Sequence, residues 1–127
     1  MSDPEDTHNA NQQVLIVAEG PAYGDERSYN ALRVAGSLGK REGVNVRLFL
    51  IGDAVTCAVA GQKVPDGYYH LDRMIQAAGH HGVEIGCCGT CLDARGITDD
   101  ALVEPARRST LDELTDWIVA ADKTLTF

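Results

Sequence analysis

The fold class that the sequence predicts is α/β: a three-layer α/β/α sandwich on a mostly parallel sheet of about five strands, flavodoxin-like in the broad sense. Three observations predict it. Strand-like and helix-like segments alternate from one end to the other. Two of the strand-like runs, 13–19 (QVLIVAE) and 44–51 (VNVRLFLI), are apolar almost throughout, as strands buried on both faces are. Glycine or proline stands at most of the joins. Parallel strands joined by helices need right-handed crossovers, and these cover both faces of the sheet.

The elements follow in order. The run 13–19 stops at Gly20-Pro21, and residues 20–24 (GPAYG) read as a loop. Over 26–42, Ala31, Leu32, Ala35 and Leu38 recur at helical spacing, with Gly43 placed to end the helix. The second strand, 44–51, is closed by Gly52-Asp53, and a short helix is predicted over 54–60 before an irregular stretch at 61–67. Leu71, Met74, Ile75 and Ala78 make a second amphipathic helix ending near Gly79. Residues 83–87 form the third strand, and the cysteines that follow are read as a loop. Pro105 confines the next segment to a turn and a weak fourth strand at 104–108. Thr110 and Glu113 match a capping box, with Leu111, Leu114, Ile118 and Ala121 as the apolar stripe of the helix behind it. Residues 124–127 (TLTF) alternate as a final strand. No repeat, linker or second domain interrupts this pattern, so residues 13–127 are expected to be one domain, preceded by a disordered acidic arm at 1–12 carrying Asp3, Glu5 and Asp6.

Bulk properties narrow the function classes. At 127 residues the chain is long enough to bury a core unaided. A net charge of −8 with scattered Lys and Arg argues against nucleic acid, whose binding needs clustered cations. No apolar run approaches the roughly 18 residues that span a bilayer, and the first dozen residues lack the apolar core of an export signal. The expected compartment is therefore the reducing cytoplasm, where clustered cysteines serve catalysis or metal binding rather than structural disulfides.

Three of the four cysteines fall within Cys87, Cys88 and Cys91, at the carboxyl end of the third strand. Open parallel sheets gather their reactive groups beyond that edge. Strand alternation sends Cys87 under a helix as a small buried hydrophobe and leaves Cys88 free to enter the loop. Cys57, inside an apolar stretch, also reads as core. Cys88 and Cys91 form a C-x-x-C, a pattern shared by redox, metal and sulfur-transfer sites. A thioredoxin-like oxidoreductase would place it after an early strand and at the start of a long helix; here Gly96 and Asp99-Asp100 interrupt any such helix. A zinc site would draw His80 or His81 to these thiols, yet there is no second C-x-x-C and no H-x-x-x-H. A nucleophilic thiolate that carries a group needs one exposed sulfur of lowered pKa beside a cation, and Arg95 is the candidate cation, with a loop-bracing bridge to Asp93 as its alternative use. Cys87, Asp93 and Arg95 beside the C-x-x-C, and Tyr23 and Gly24 in the first loop, are candidates for shaping the same site, and Asp53 for capping the short helix.

The segment 88–97 (CGTCLDARGI) resembles the C-x-T-C-x-D-x-R-G-I motif of the DsrE/DsrF-like sulfur-relay family. The likeness extends to Ala22-Tyr23-Gly24, to Arg47-Leu48-Phe49-Leu50 with Asp53-Ala54-Val55-Thr56, to Gly61-Gln62-Lys63 with Gly67-Tyr68, and to the last seven residues. It is nearest to the stand-alone, homo-oligomeric YchN-like branch. The resemblance implies a parallel α/β sandwich and a sulfurtransferase or sulfur carrier. Cys88 would accept sulfane sulfur as a persulfide, without metal or organic cofactor, and pass it between donor and acceptor proteins. Cys91 would resolve that state. It also implies assembly as a homotrimer or homohexamer. Gly89 and the extra thiol of Cys87 depart from the family pattern. The alternatives are a non-catalytic oligomeric redox or regulatory binding protein and, more remotely, a zinc-binding module.

Overall fold

A computed structural model describes residues 11–127, so residues 1–10, which hold most of the predicted acidic arm, lie outside the described residues. The central strand β1 (Gln12–Ala18) leads through α1 (Arg27–Gly39) to β2 (Val44–Leu50). A tight 3-10 segment, Gly52–Ala58, precedes α2 (Leu71–His80), β3 (Glu84–Cys88) and the short α3 (Gly89–Ala94). The chain closes with β4 (Arg107–Ser109), α4 (Leu111–Ala120) and β5 (Lys123–Thr126). All five strands are parallel in the order β4-β3-β2-β1-β5. The predicted α/β sandwich on a five-stranded sheet is the fold observed.

Strand order explains how unequal the two outer layers are. From β1 to β4 the chain steps steadily across the sheet, so right-handed crossovers put α1, α2 and α3 on one face. Only the step from β4 back past β1 to β5 reverses direction, which puts α4 alone on the other face. The larger core accordingly joins Ile16, Leu48 and Ile85 of the strands to Ala31, Leu32, Leu71 and Ile75 of the helices. The smaller one is Leu15, Phe49, Leu114 and Trp117. Trp117 meets Phe49 edge to face at 6.0 Å, and the guanidiniums of Arg47 and Arg107 lie 5.3 and 5.9 Å from the indole. Both arrangements are favourable for an aromatic quadrupole.

Four local expectations are corrected. The segment predicted as a helix over 54–60 is a 3-10 turn at Gly52–Ala58. Val59 is drawn out of it into an extended bridge with Leu102, and Val103 N–H donates to the Ala58 carbonyl. The fourth strand starts at Arg107 rather than at residue 104, because Pro105 has no N–H to give a ladder. The cysteine loop is a six-residue helix, α3. In α4 the buried stripe is Leu114 and Trp117, while Leu111 and Ile118 stand 66% and 44% exposed. One helix lying alone on a sheet buries only its central line of side chains, and the large indole takes that line.

Candidate active site

Residues 84–88 alternate as a strand must, and that places the two adjacent thiols differently. Ile85 and Cys87 point into the larger core, while Cys88 ends the strand half-buried and touches both core clusters. Cys57 and Cys87 have no exposed surface, and burial pushes their thiols up to about 11 and about 12. Both pack as core residues, so Cys87, also a candidate for shaping the site, offers no surface to it.

Cys88 is also the N-cap of α3, its Sγ accepting from the Cys91 N–H at 3.4 Å. One helical turn brings the Cys91 thiol over the same sulfur, Sγ to Sγ 2.8 Å, and both thiols are free. The Gly52 N–H, at the end of β2, donates to Cys91 Sγ at 3.2 Å. Partial burial first, then the hydrogen bond with the Cys91 thiol, raise the Cys88 pKa above its ordinary value; backbone N–H groups of Cys91 and Thr90 oppose this without reversing it. The Cys88 thiol is thus raised where a C-x-x-C suggests a lowered one, because burial and the Cys91 thiol outweigh the backbone donors.

The cations near Cys88 are already engaged. Arg95 does not bridge to Asp93; its guanidinium pairs with Asp53 at 2.6 Å and donates to the Cys91 carbonyl. Asp53, expected as a cap, is therefore an ion-pair partner. The residue that sequence reasoning missed is Arg108. It stands on β4, opposite Cys87 in the parallel register, and pairs with Asp93 at 2.9 Å and Asp99 at 2.7 Å. Arg108 also donates to the Gly89 carbonyl. Its hydrogen bonds first, and then its charge, hold the Asp93 carboxyl below the usual carboxylate range. A Cβ on Gly89 would sit 2.9 Å from Arg108 Nη1 and 3.0 Å from the Ser109 carbonyl, which accounts for glycine here.

Of these residues Cys88, Gly89, Asp93, Arg108 and Ser109, joined by Leu111, line a cleft of about 250 Å3. It opens at the carboxyl edge of β3, as the fold class predicts. The reversal of strand order, where open sheets most often bind ligands, lies elsewhere, between β1 and β5. Tyr23 and Gly24 are not brought to this cleft. They line a separate cavity of about 500 Å3 with Gln62, Lys63, Pro65 and Tyr69. There the Tyr23 hydroxyl accepts from the Leu71 N–H, and Gly24 takes a φ of +87° that suits glycine.

His80 closes α2 at the amino edge of β3, and that strand then carries the chain to Cys88 at the opposite edge, about 15 Å away at the rise of a strand. Neither His80 nor His81 can join the thiols on one ion. Among the described residues no three His, Cys, Asp or Glu side chains are grouped to hold a metal. Among them also, no helix is long and apolar enough to cross a membrane.

Comparison with known proteins agrees with this architecture. The family model described as DsrE/DsrF-like matches residues 12–127. Protein YchN of Escherichia coli is 41% identical over 117 residues, covering 91% of this chain and 99% of the relative. An uncharacterised protein of Methanopyrus kandleri is 33% identical over 113 residues, with 89% and 91% of the two chains covered. The crystal structure of the E. coli YchN protein superposes with a TM-score of 0.86 over the same 91% and 99%. A Methanobacterium thermoautotrophicum protein of unknown function, 16% identical, shares the fold at a TM-score of 0.69, over 92% of this chain and 99% of its own. With a match spanning nearly the whole described chain and a relative at 41% identity, the chain belongs to the DsrE/DsrF-like family.

Proposed function

We propose that this chain is a sulfur-relay protein in which Cys88 accepts sulfane sulfur as a persulfide and yields it to a partner protein. The observation that carries the reading is one half-buried sulfur at the rim of the sheet, opening on a cleft, with a second free thiol 2.8 Å away. Family membership supports it. The Cys88 thiolate attacks the outer sulfur of a donor persulfide, forming Cys88–S–SH and releasing the donor thiolate. An acceptor thiolate then takes that outer sulfur and displaces the Cys88 thiolate. Where no acceptor arrives, the Cys91 thiolate attacks Cys88 Sγ, a Cys88–Cys91 disulfide forms and hydrosulfide leaves. The reducing cytoplasm is the compartment that suits such chemistry, since its thiol pool returns the disulfide to two thiols.

A second reading, a non-catalytic oligomeric redox or regulatory protein, is favoured by one observation, the raised Cys88 thiol. Intact-mass measurement after incubation with a persulfide donor decides between them. The sulfur reading expects an adduct of about 32 Da, one sulfur atom, that Cys88→Ser abolishes. No adduct on the wild-type chain overturns it. The same proposal includes assembly as a homotrimer or homohexamer, supported by Leu111, Ile118 and Val119 of α4 and Leu125 of β5 standing exposed in the single chain.

A further inference from the structure

We infer that the Cys88 cleft selects its sulfur donor by charge, taking sulfur presented among cations on the basic surface of a donor protein and disfavouring small anionic donors. The inference rests on the sulfur-relay reading and names its substrate class. A cleft built for thiosulfate or another small anion needs uncommitted donors, a free guanidinium above all. Arg108 is the one cation among the lining residues. Its Nη2 and Nε are held by Asp93 and Asp99, and its Nη1 is directed at the Gly89 carbonyl and Asp93 Oδ2. The three side chains form a cluster of net charge −1.

The neighbouring guanidiniums are committed in the same way. Arg95 is matched by Asp53, and Arg107 by both Glu84 and Glu113. Two further carboxylates, Asp100 and Asp112, have no ion-pair partner among the described residues; Asp112 directly follows the cleft-lining Leu111. The Asp93 side chain is 68% exposed although paired, so an incoming cation can still reach it. The cleft contains a guanidinium and nevertheless faces solvent with surplus negative charge.

The size of the effect follows from Coulomb's law. One uncompensated charge about 10 Å from the reacting sulfur changes the rate of a singly charged reagent about twofold in water. For two reagents of opposite sign the ratio therefore moves about fourfold.

The test uses methanethiosulfonate reagents carrying either a trimethylammonium or a sulfonate group, on the Cys91→Ser chain so that Cys91 does not compete. The Cys88 thiolate attacks the sulfenyl sulfur, a mixed disulfide forms and methanesulfinate leaves. Each rate is divided by that of the same reagent on a free neutral thiol. The cationic-to-anionic ratio should be about fourfold or more above unity at about 0.01 M salt. It should return towards unity near 1 M, as the Debye length falls from about 30 to about 3 Å. A normalised ratio at or below unity at low salt overturns the inference. Joint replacement Asp93→Asn and Asp99→Asn releases Arg108 and should lower the ratio to unity or below, with circular dichroism reporting whether the fold survives. If that variant misfolds, the salt series on the Cys91→Ser chain decides alone. Failure of the sulfur-relay reading is distinguishable: the 32 Da adduct is then missing even if the charge ratio holds, and the substrate assignment falls with it.

Discussion

Raising the pH should divide the four cysteines into two pairs and unfold the chain from within. Cys57 and Cys87 are fully buried, with thiols pushed up to about 11 and about 12, while a thiol in the unfolded chain ionises near 8.5. At pH 8 their native thiolate fractions are therefore about one in 10³ and one in 10⁴, against roughly one quarter when unfolded. A group raised on folding contributes stability that is whole below its unfolded pKa and is lost as pH climbs towards its folded one. Between about pH 9 and pH 11 each thiol costs about 1.4 kcal/mol per pH unit, or about 5 kcal/mol for the pair across the interval. That is comparable with the whole stability of a small domain, so unfolding near pH 11 is expected. Urea denaturation at stepped pH measures it, and Cys87→Ala should reduce the slope by one proton. Iodoacetamide with peptide mapping supplies the second readout, with Cys88 and Cys91 labelled in the native state and Cys57 and Cys87 only on unfolding. An unchanged slope in Cys87→Ala, or native labelling of Cys87 as fast as Cys88, refutes the assignment of Cys87 to the core.

Other outcomes follow from the same geometry. Cys91→Ser should keep the persulfide adduct on Cys88 and lengthen its lifetime, as read by mass spectrometry over time, because the resolving thiol is gone. Trp117→Ala should cost about 3–5 kcal/mol in urea denaturation, since the indole is the largest side chain of the smaller core. Gly89→Ala forces a Cβ against Arg108 and the Ser109 carbonyl and should cost about 1–3 kcal/mol while altering the Cys88 labelling rate. Light scattering should report a trimer or hexamer of the 13.6 kDa chain, and Val119→Asp, on an 86% exposed site, should shift it towards monomer.

Elements whose signal is local were legible in advance. The apolar runs of β1 and β2 and the helical spacing of Ala31, Leu32 and Ala35 describe each segment's own burial, and the sheet formed as they indicate. Cys87 was readable as core from strand alternation and Cys57 from the apolar stretch that holds it. Arg108 was not legible, because its role arises from two strands coming side by side although Arg108 lies 20 positions after Cys88 in the chain. The exchange of partners between Arg95 and Arg108 has the same origin, since short spacing suggested Asp93 for Arg95 while the fold offered Asp53.

By itself the sequence determined the α/β alternation, the parallel sheet and the placing of a C-x-x-C at the carboxyl end of a strand, because hydrophobic period and turn residues act within a few positions of themselves. Only the tertiary structure decided which carboxylates neutralise which guanidiniums, which line of α4 is buried, and whether the Cys88 thiol rises or falls. Those outcomes depend on desolvation and on charges a few ångströms apart in space, and distance along the chain does not encode them.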